Sequence, residues 1–184
     1  MKKILVVVDM QKDFIDGALG TPEAVAIVPH VVKKIKTYQE AGDAIYFTLD
    51  THNEDYLNTQ EGKNLPVPHC IKGTKGWALH PDIAALARVL QGHTATPITF
   101  EKGIFGGEEL AHKLRDEIQG LENVEIELVG LCTDICVLSN AILFKTYMPE
   151  ACIKVDGAGC AGVTPQSHTN ALDAMKMCQI QINS

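Results

Sequence analysis

Six short runs of apolar and β-branched residues alternate with stretches of helical spacing, and this alternation constrains the fold more than any other feature of the chain. The runs are "KILVVVD" (3–9), "DAIYFTLD" (43–50), "TPITFEKG" (96–103), "NVEIELVGL" (123–131), "ACIKVDGAG" (151–159) and the short "QIQI" (179–182). Runs such as the first, apolar at every position from Ile4 to Val8, suit strands buried on both faces. Between them lie helical patterns at 22–41, stopped by Gly42; from about Pro81 to a close at Gly92; and at 107–120, 133–148 and 164–178. Pro29 interrupts the first of these and predicts a start later than Pro22. Strict alternation of this kind implies parallel strands joined by right-handed helical crossovers. We therefore expect a three-layer α/β/α fold with a mainly parallel six-stranded sheet, formed as one domain over 1–184. The stretch from Thr51 to His80 is the exception, being long, polar and rich in Pro and Gly. A connection of that length in a compact domain is usually functional.

In open parallel sheets, ligands bind beyond the carboxyl ends of the strands. Asp9 ends the first strand, Asp50 the second and Lys102 the third, while "VGLCTDICV" (129–137) runs from the fourth into its helix. A carboxylate, an ammonium and a thiol from different strands would thus meet in one crevice. A thiol attacks as thiolate, and its pKa falls beside a cation and at a helix N-terminus. Cys136 stands in the first turn of the expected helix, Lys102 supplies positive charge, and Asp9 is placed to take the thiol proton and return it to a departing amine. Each residue also has a plainer role: a small core thiol, a strand-end cap, a solvated lysine. Three such residues at three strand ends favour chemistry over coincidence.

The Asp50-Thr51-His52 triplet places two ligand types two residues apart, on one side of an extended backbone, and the long loop adds Glu61 and His69. A mixed oxygen and nitrogen set with open positions suits a divalent ion: zinc first, with Mn or Fe as alternatives. The simpler reading makes them turn and loop residues. His30, His80, His93, His112 and His168 read as surface residues, Thr133 as the helix N-cap, and Asp134 as a partner of backbone near that helix start.

Composition removes whole classes of function. A net charge of -7 without a Lys/Arg-rich run argues against nucleic-acid binding. No apolar stretch approaches the ~18 residues of a membrane span, and the apolar run after Met1 is too short for an export signal. The six cysteines, with no CxxC pair, are then expected reduced in cytoplasm.

"VDMQKDF" (8–14), the lysine after the third strand and "GLCTDICV" (130–137) together resemble the isochorismatase-like cysteine hydrolases, and among them the nicotinamidase-like branch, over nearly the whole chain. The resemblance implies a Rossmann-like fold and a catalytic triad of Asp9, Lys102 and Cys136. It also implies an oxyanion hole made by the backbone N–H groups of Cys132 and Cys136, with a cis peptide between Leu131 and Cys132. The metal ligands would be Asp50, His52, His69 and, by a looser match, Glu61. A substrate pocket of Phe14, Leu131, Phe105 and Ile135 is expected, with the metal holding a ring nitrogen of the substrate. The implied reaction is hydrolysis of a small amide through a thioester, nicotinamide giving nicotinate and ammonia, by a homodimer or larger homo-oligomer. Another small amide or carbamoyl compound, and a noncatalytic binding or assembly member, are the competing readings. The nicotinamide assignment is weakened by Pro66, where many nicotinamidases have an aromatic residue; Leu65 or Trp77 would have to compensate.

Overall fold

A computed structural model describes residues 1–183. Its sheet has six parallel strands in the order β3-β2-β1-β4-β5-β6. They are β1 (Lys2–Val8), β2 (Ala44–Asp50), β3 (Thr99–Lys102), β4 (Val124–Leu131), β5 (Cys152–Ala161) and β6 (Gln181–Asn183). The connecting helices are α1 (Lys12–Ile15), α2 (Pro22–Ala41), α3 (Gln60–Asn64), α4 (Pro81–Gly92), α5 (Glu108–Ile118), α6 (Leu138–Tyr147) and α7 (Pro165–Met177). Right-handed crossovers put α2 and α4, which touch each other, on one face. The direction reverses at β4, so α5, α6 and α7 cover the other face. Among the described residues, no helix is long and apolar enough to cross a membrane.

The first strand sits at the centre because its sequence permits nothing else. Ile4 to Val8 are all fully buried, between β2 and β4. Strand order reverses between β1 and β4, and such a switch point opens a crevice at the carboxyl edge. Register then places the chemistry there: Val8 lies beside Gly130, and Asp50 beside Lys102. Gly130 is obligatory, with φ of 122° and a position where a Cβ would stand 2.0 Å from the Val8 carbonyl oxygen.

Two element boundaries differ from expectation. α2 starts at Pro22 and carries Pro29 inside it, because the Thr21 hydroxyl caps the Ala24 N–H and one interior proline forfeits a single backbone bond. α4 runs from Pro81 to Gly92 as expected, with His93 at the C-cap. The expected helix at 133–148 is two pieces, a π-helical turn over Thr133–Val137 and then α6. Thr133 is not the N-cap; Cys132 holds that place without a side-chain cap bond. The long 51–80 connection contains α3, a single 3₁₀ turn at Tyr56–Asn58, and backbone bonds to the segment after β1, including Asp13 N–H to Gly76 O and Lys12 N–H to Ala78 O.

Candidate active site

Asp9 follows β1 in a left-handed conformation, φ 47°, which a non-glycine residue adopts only when its surroundings impose it. Thr48, a polar residue inside the buried β2, imposes much of it. Its hydroxyl donates to Asp9 Oδ1 at 2.6 Å and accepts from the Asp9 N–H at 3.2 Å. Asp9 Oδ2 lies 2.7 Å from the Lys102 ammonium but makes no hydrogen bond of good geometry, so this buried oxygen keeps lone-pair capacity. Lys102 Nζ is 3.4 Å from Cys136 Sγ and 3.3 Å from Asp50 Oδ1. Asp9, Lys102 and Cys136 are all buried, so Lys102 is not the solvated lysine of the plainer reading.

Electrostatics sharpen the picture and correct one expectation. Burial disfavours the Lys102 ammonium, yet the charges of Asp9, Cys136 and Asp50 outweigh it and hold the pKa above the ordinary lysine value. Asp50 is held well below the carboxylate range, because its bonds to His52 and His69 and the charge of Lys102 overcome burial. Asp9 is raised by burial and by the nearby charge of Asp50, against the pull of Lys102. Cys136 is raised too: burial and the Asp9 charge exceed the effect of Lys102. The sulfur is therefore not a freely dissociating low-pKa thiol, as a cation and a helix end alone suggest. Two buried acids, Asp9 and Cys136, thus stand beside one ammonium, each with its neutral form favoured by burial.

A second cluster adjoins the first. One ligand atom each from Asp50, His52 and His69 lie within 4.8 Å of one another. His52 Nε2 and His69 Nε2 stand 3.0 and 3.5 Å from Asp50 Oδ2. The Nδ1–H of His69 donates to the Val67 carbonyl at 2.8 Å, which leaves Nε2 as the free ligand nitrogen. Two imidazole nitrogens and a carboxylate oxygen converging on one point fit a divalent ion. Glu61, on α3, stands just outside, with Oε1 3.6 Å from His52 Nε2 and 3.9 Å from His69 Nε2. Tyr56 packs its ring against both imidazoles. The Gln11 side chain donates to Asp50 O and Trp77 O and accepts from the Asp50 N–H, and Asp13 accepts from the Cys70 N–H beside His69. Both residues of the first motif thus brace the loop that carries the ligands.

Between the two clusters opens a cavity of about 210 Å³. Phe14, Leu131, Phe105 and Ile135 line it, together with Cys132, Cys136, Asp50, Glu61 and His69. Leu19, Leu65 and Val163 complete an apolar wall. Leu65 thus joins the lining, whereas Trp77 does not; its indole N–H bonds Thr51 instead. The Leu131-Cys132 peptide is cis, and both cysteines are free thiols.

Sequence reasoning overlooked Thr48 and Asn140 and misread His168 and Asp134. Thr48 was detectable as a small polar residue among the apolar side chains of a strand buried from Ile45 onward. His168 is not simply a surface histidine: its Nδ1 pairs with Thr133 Oγ1 at 2.7 Å, which also explains why that hydroxyl does not cap the helix. Asp134 reaches the Val163 N–H across the cavity rim, not the helix start. Asn140, fully buried on α6, bonds the nucleophile turn and carried no signal in the sequence.

With this geometry in view, similarity to known proteins is informative. A family model described as "Isochorismatase domain" matches residues 3–184. The isochorismatase family protein PncA of Bacillus subtilis (strain 168), described as uncharacterized, is 35% identical over 94% of this chain and 93% of its own. The crystal structure of the nicotinamidase/pyrazinamidase PncA from Bacillus subtilis superposes with a TM-score of 0.84 at 30% identity, each chain covered completely. The pyrazinamidase of Pyrococcus horikoshii, solved in complex with zinc, gives a TM-score of 0.75 at 28% identity over 99% of this chain and 98% of that one. The chain belongs to the isochorismatase family, in its nicotinamidase-like branch.

Proposed function

We propose that this chain is a cysteine amidohydrolase for a small uncharged carboxamide, with nicotinamide as substrate and nicotinate and ammonia as products. The observation that carries the reading is the contact set at Lys102, whose ammonium lies 2.7 Å from Asp9 Oδ2 and 3.4 Å from Cys136 Sγ beside the apolar cavity that Cys136 lines. In this mechanism the Cys136 thiol proton passes to Asp9 Oδ2 as sulfur attacks the amide carbon. Lys102, held charged, offsets the negative charge shared by the pair. The backbone N–H groups of Cys132 and Cys136 receive the oxyanion. Asp9 protonates the nitrogen, the C–N bond breaks and ammonia departs. A water then gives its proton to Asp9 and attacks the thioester, the C–S bond breaks, and the proton returns to sulfur.

Asp50, His52 and His69 would hold a divalent ion, zinc in this proposal, which when bound supplies an electrophilic anchor for a substrate ring nitrogen. The zinc-bound relative supports that assignment. Glu61 stays a candidate fourth partner, joined directly or through water.

Charge narrows the substrate. Among the described residues, no Lys or Arg lines the cavity, whereas Asp50 and Glu61 do. With the proposed ion taken up by the ring nitrogen, a substrate carboxylate would meet an apolar wall with no cationic side chain to pair it, which disfavours carbamoyl amino acids. The test is ammonia release with zinc supplied, comparing nicotinamide with an N-carbamoyl amino acid. We expect turnover of nicotinamide at least about 100-fold above the acid in kcat/KM; faster turnover of the acid would overturn the assignment. Cytoplasmic residence and self-association belong to the same proposal, and cell fractionation and sedimentation equilibrium test them.

A further inference from the structure

Asn140 lies on the first turn of α6, four residues after Cys136, and its side chain is fully buried. Its amide is used three times. Nδ2 donates to the Cys136 carbonyl at 2.8 Å and to the Phe105 carbonyl at 3.1 Å, and Oδ1 accepts from the Gly107 N–H at 2.9 Å. The first bond holds the backbone of the nucleophile itself. The other two hold the segment that leaves β3 directly after Lys102, carries Phe105 into the cavity wall and ends at α5. Gly107 fits between the amide and the lysine stem: a Cβ there would stand 3.4 Å from Asn140 Oδ1 and 3.9 Å from Lys102 Cδ.

Two catalytic groups that arrive on separate strands need a common reference. Cys136 sits on a π-helical turn, where Val137 N–H reaches back to Cys132 O, and Lys102 ends a strand of four residues at the edge of the sheet. Neither element alone sets the 3.4 Å between sulfur and ammonium. The planar, fully buried amide of Asn140 ties both to one rigid group.

We propose that Asn140 is a positioning residue, which fixes Cys136 against Lys102 by clamping the nucleophile turn to the 103–107 segment; this rests on the hydrolase reading above. The test uses the full chain with zinc and nicotinamide, and two variants. Asn140→Leu keeps the volume and removes all three bonds. Asn140→Ser retains a donor able to reach the carbonyl four residues back and drops both bonds to the segment. We expect kcat to fall about 100-fold in Asn140→Leu and about 10-fold in Asn140→Ser, with KM moving less than about 3-fold, because an ångström of misplacement near the reacting groups costs that much. The second readout is alkylation of Cys136 by iodoacetamide, followed by peptide mass spectrometry on protein shown to be folded. Its rate should fall about 10-fold in each variant as the sulfur moves out of reach of the Lys102 ammonium, the neighbour that favours its anionic form. Unchanged kcat, a change in KM alone, or an unchanged or faster alkylation in a folded variant would overturn the proposal. If Asn140→Leu does not fold, Asn140→Ser decides by the same criteria. Alkylation needs no substrate, so it judges Asn140 even if the parent protein leaves nicotinamide untouched.

Discussion

Asp50 faces two ways. One oxygen stands 3.3 Å from Lys102 and the other 3.0 and 3.5 Å from the two imidazoles, so a single carboxylate joins the Asp9-Lys102-Cys136 cluster to the proposed ligand cluster. His69 completes the proposed ligand set from the far loop, its tautomer fixed by Val67 O. Removing that imidazole should abolish tight metal binding while leaving Asp9, Lys102 and Cys136 in place. For His69→Ala we expect zinc, measured by elemental analysis after dialysis, to fall from about one per chain toward none. Ammonia release should drop about 100-fold. Full zinc retention would remove His69 from the ligand set. At this scale the sequence was informative wherever a reactive side chain stood at a strand end, as with Asp9, Asp50 and Lys102. It was silent on residues whose role is a hydrogen bond across the fold. Asn140 and His168 look like ordinary helix residues until distant segments are brought to them.

Among elements, β1 and β4 must approach closely for the switch-point crevice to form, and Gly130 is where they do so. Any side chain there meets the Val8 carbonyl and must also accept a φ of 122°. Gly130→Ala should lower unfolding free energy by about 3 kcal/mol, read as a shifted urea midpoint at unchanged slope. A midpoint within error of the parent would show that the strands separate at no cost. Strand and helix identities were legible because periodicity reports burial. The boundaries that misled, at Pro29 and at Thr133, are those where local chemistry competes with packing. Thr21 and Pro22 start α2 in spite of the inner proline. The turn at Thr133–Val137 winds wider than an α-helix, which no side-chain pattern announced.

For the whole molecule, the parallel order follows from the alternation of elements, and the site follows from that order: β1, β2, β3 and β4 deliver an acid, a shared carboxylate, an ammonium and a thiol to one rim. What the sequence could not supply was the balance of forces inside. Lys102 does act on Cys136 in the direction expected, but burial raises the thiol by more, so the proposed mechanism has Asp9 and Cys136 act as a pair. The account therefore stands on one sulfur atom. Its most direct test is the initial rate of ammonia release from nicotinamide by zinc-loaded Cys136→Ala, with folding verified by circular dichroism. We predict a loss of at least about 1,000-fold relative to the parent protein; a folded variant releasing ammonia within 10-fold of the parent rate would contradict the mechanism.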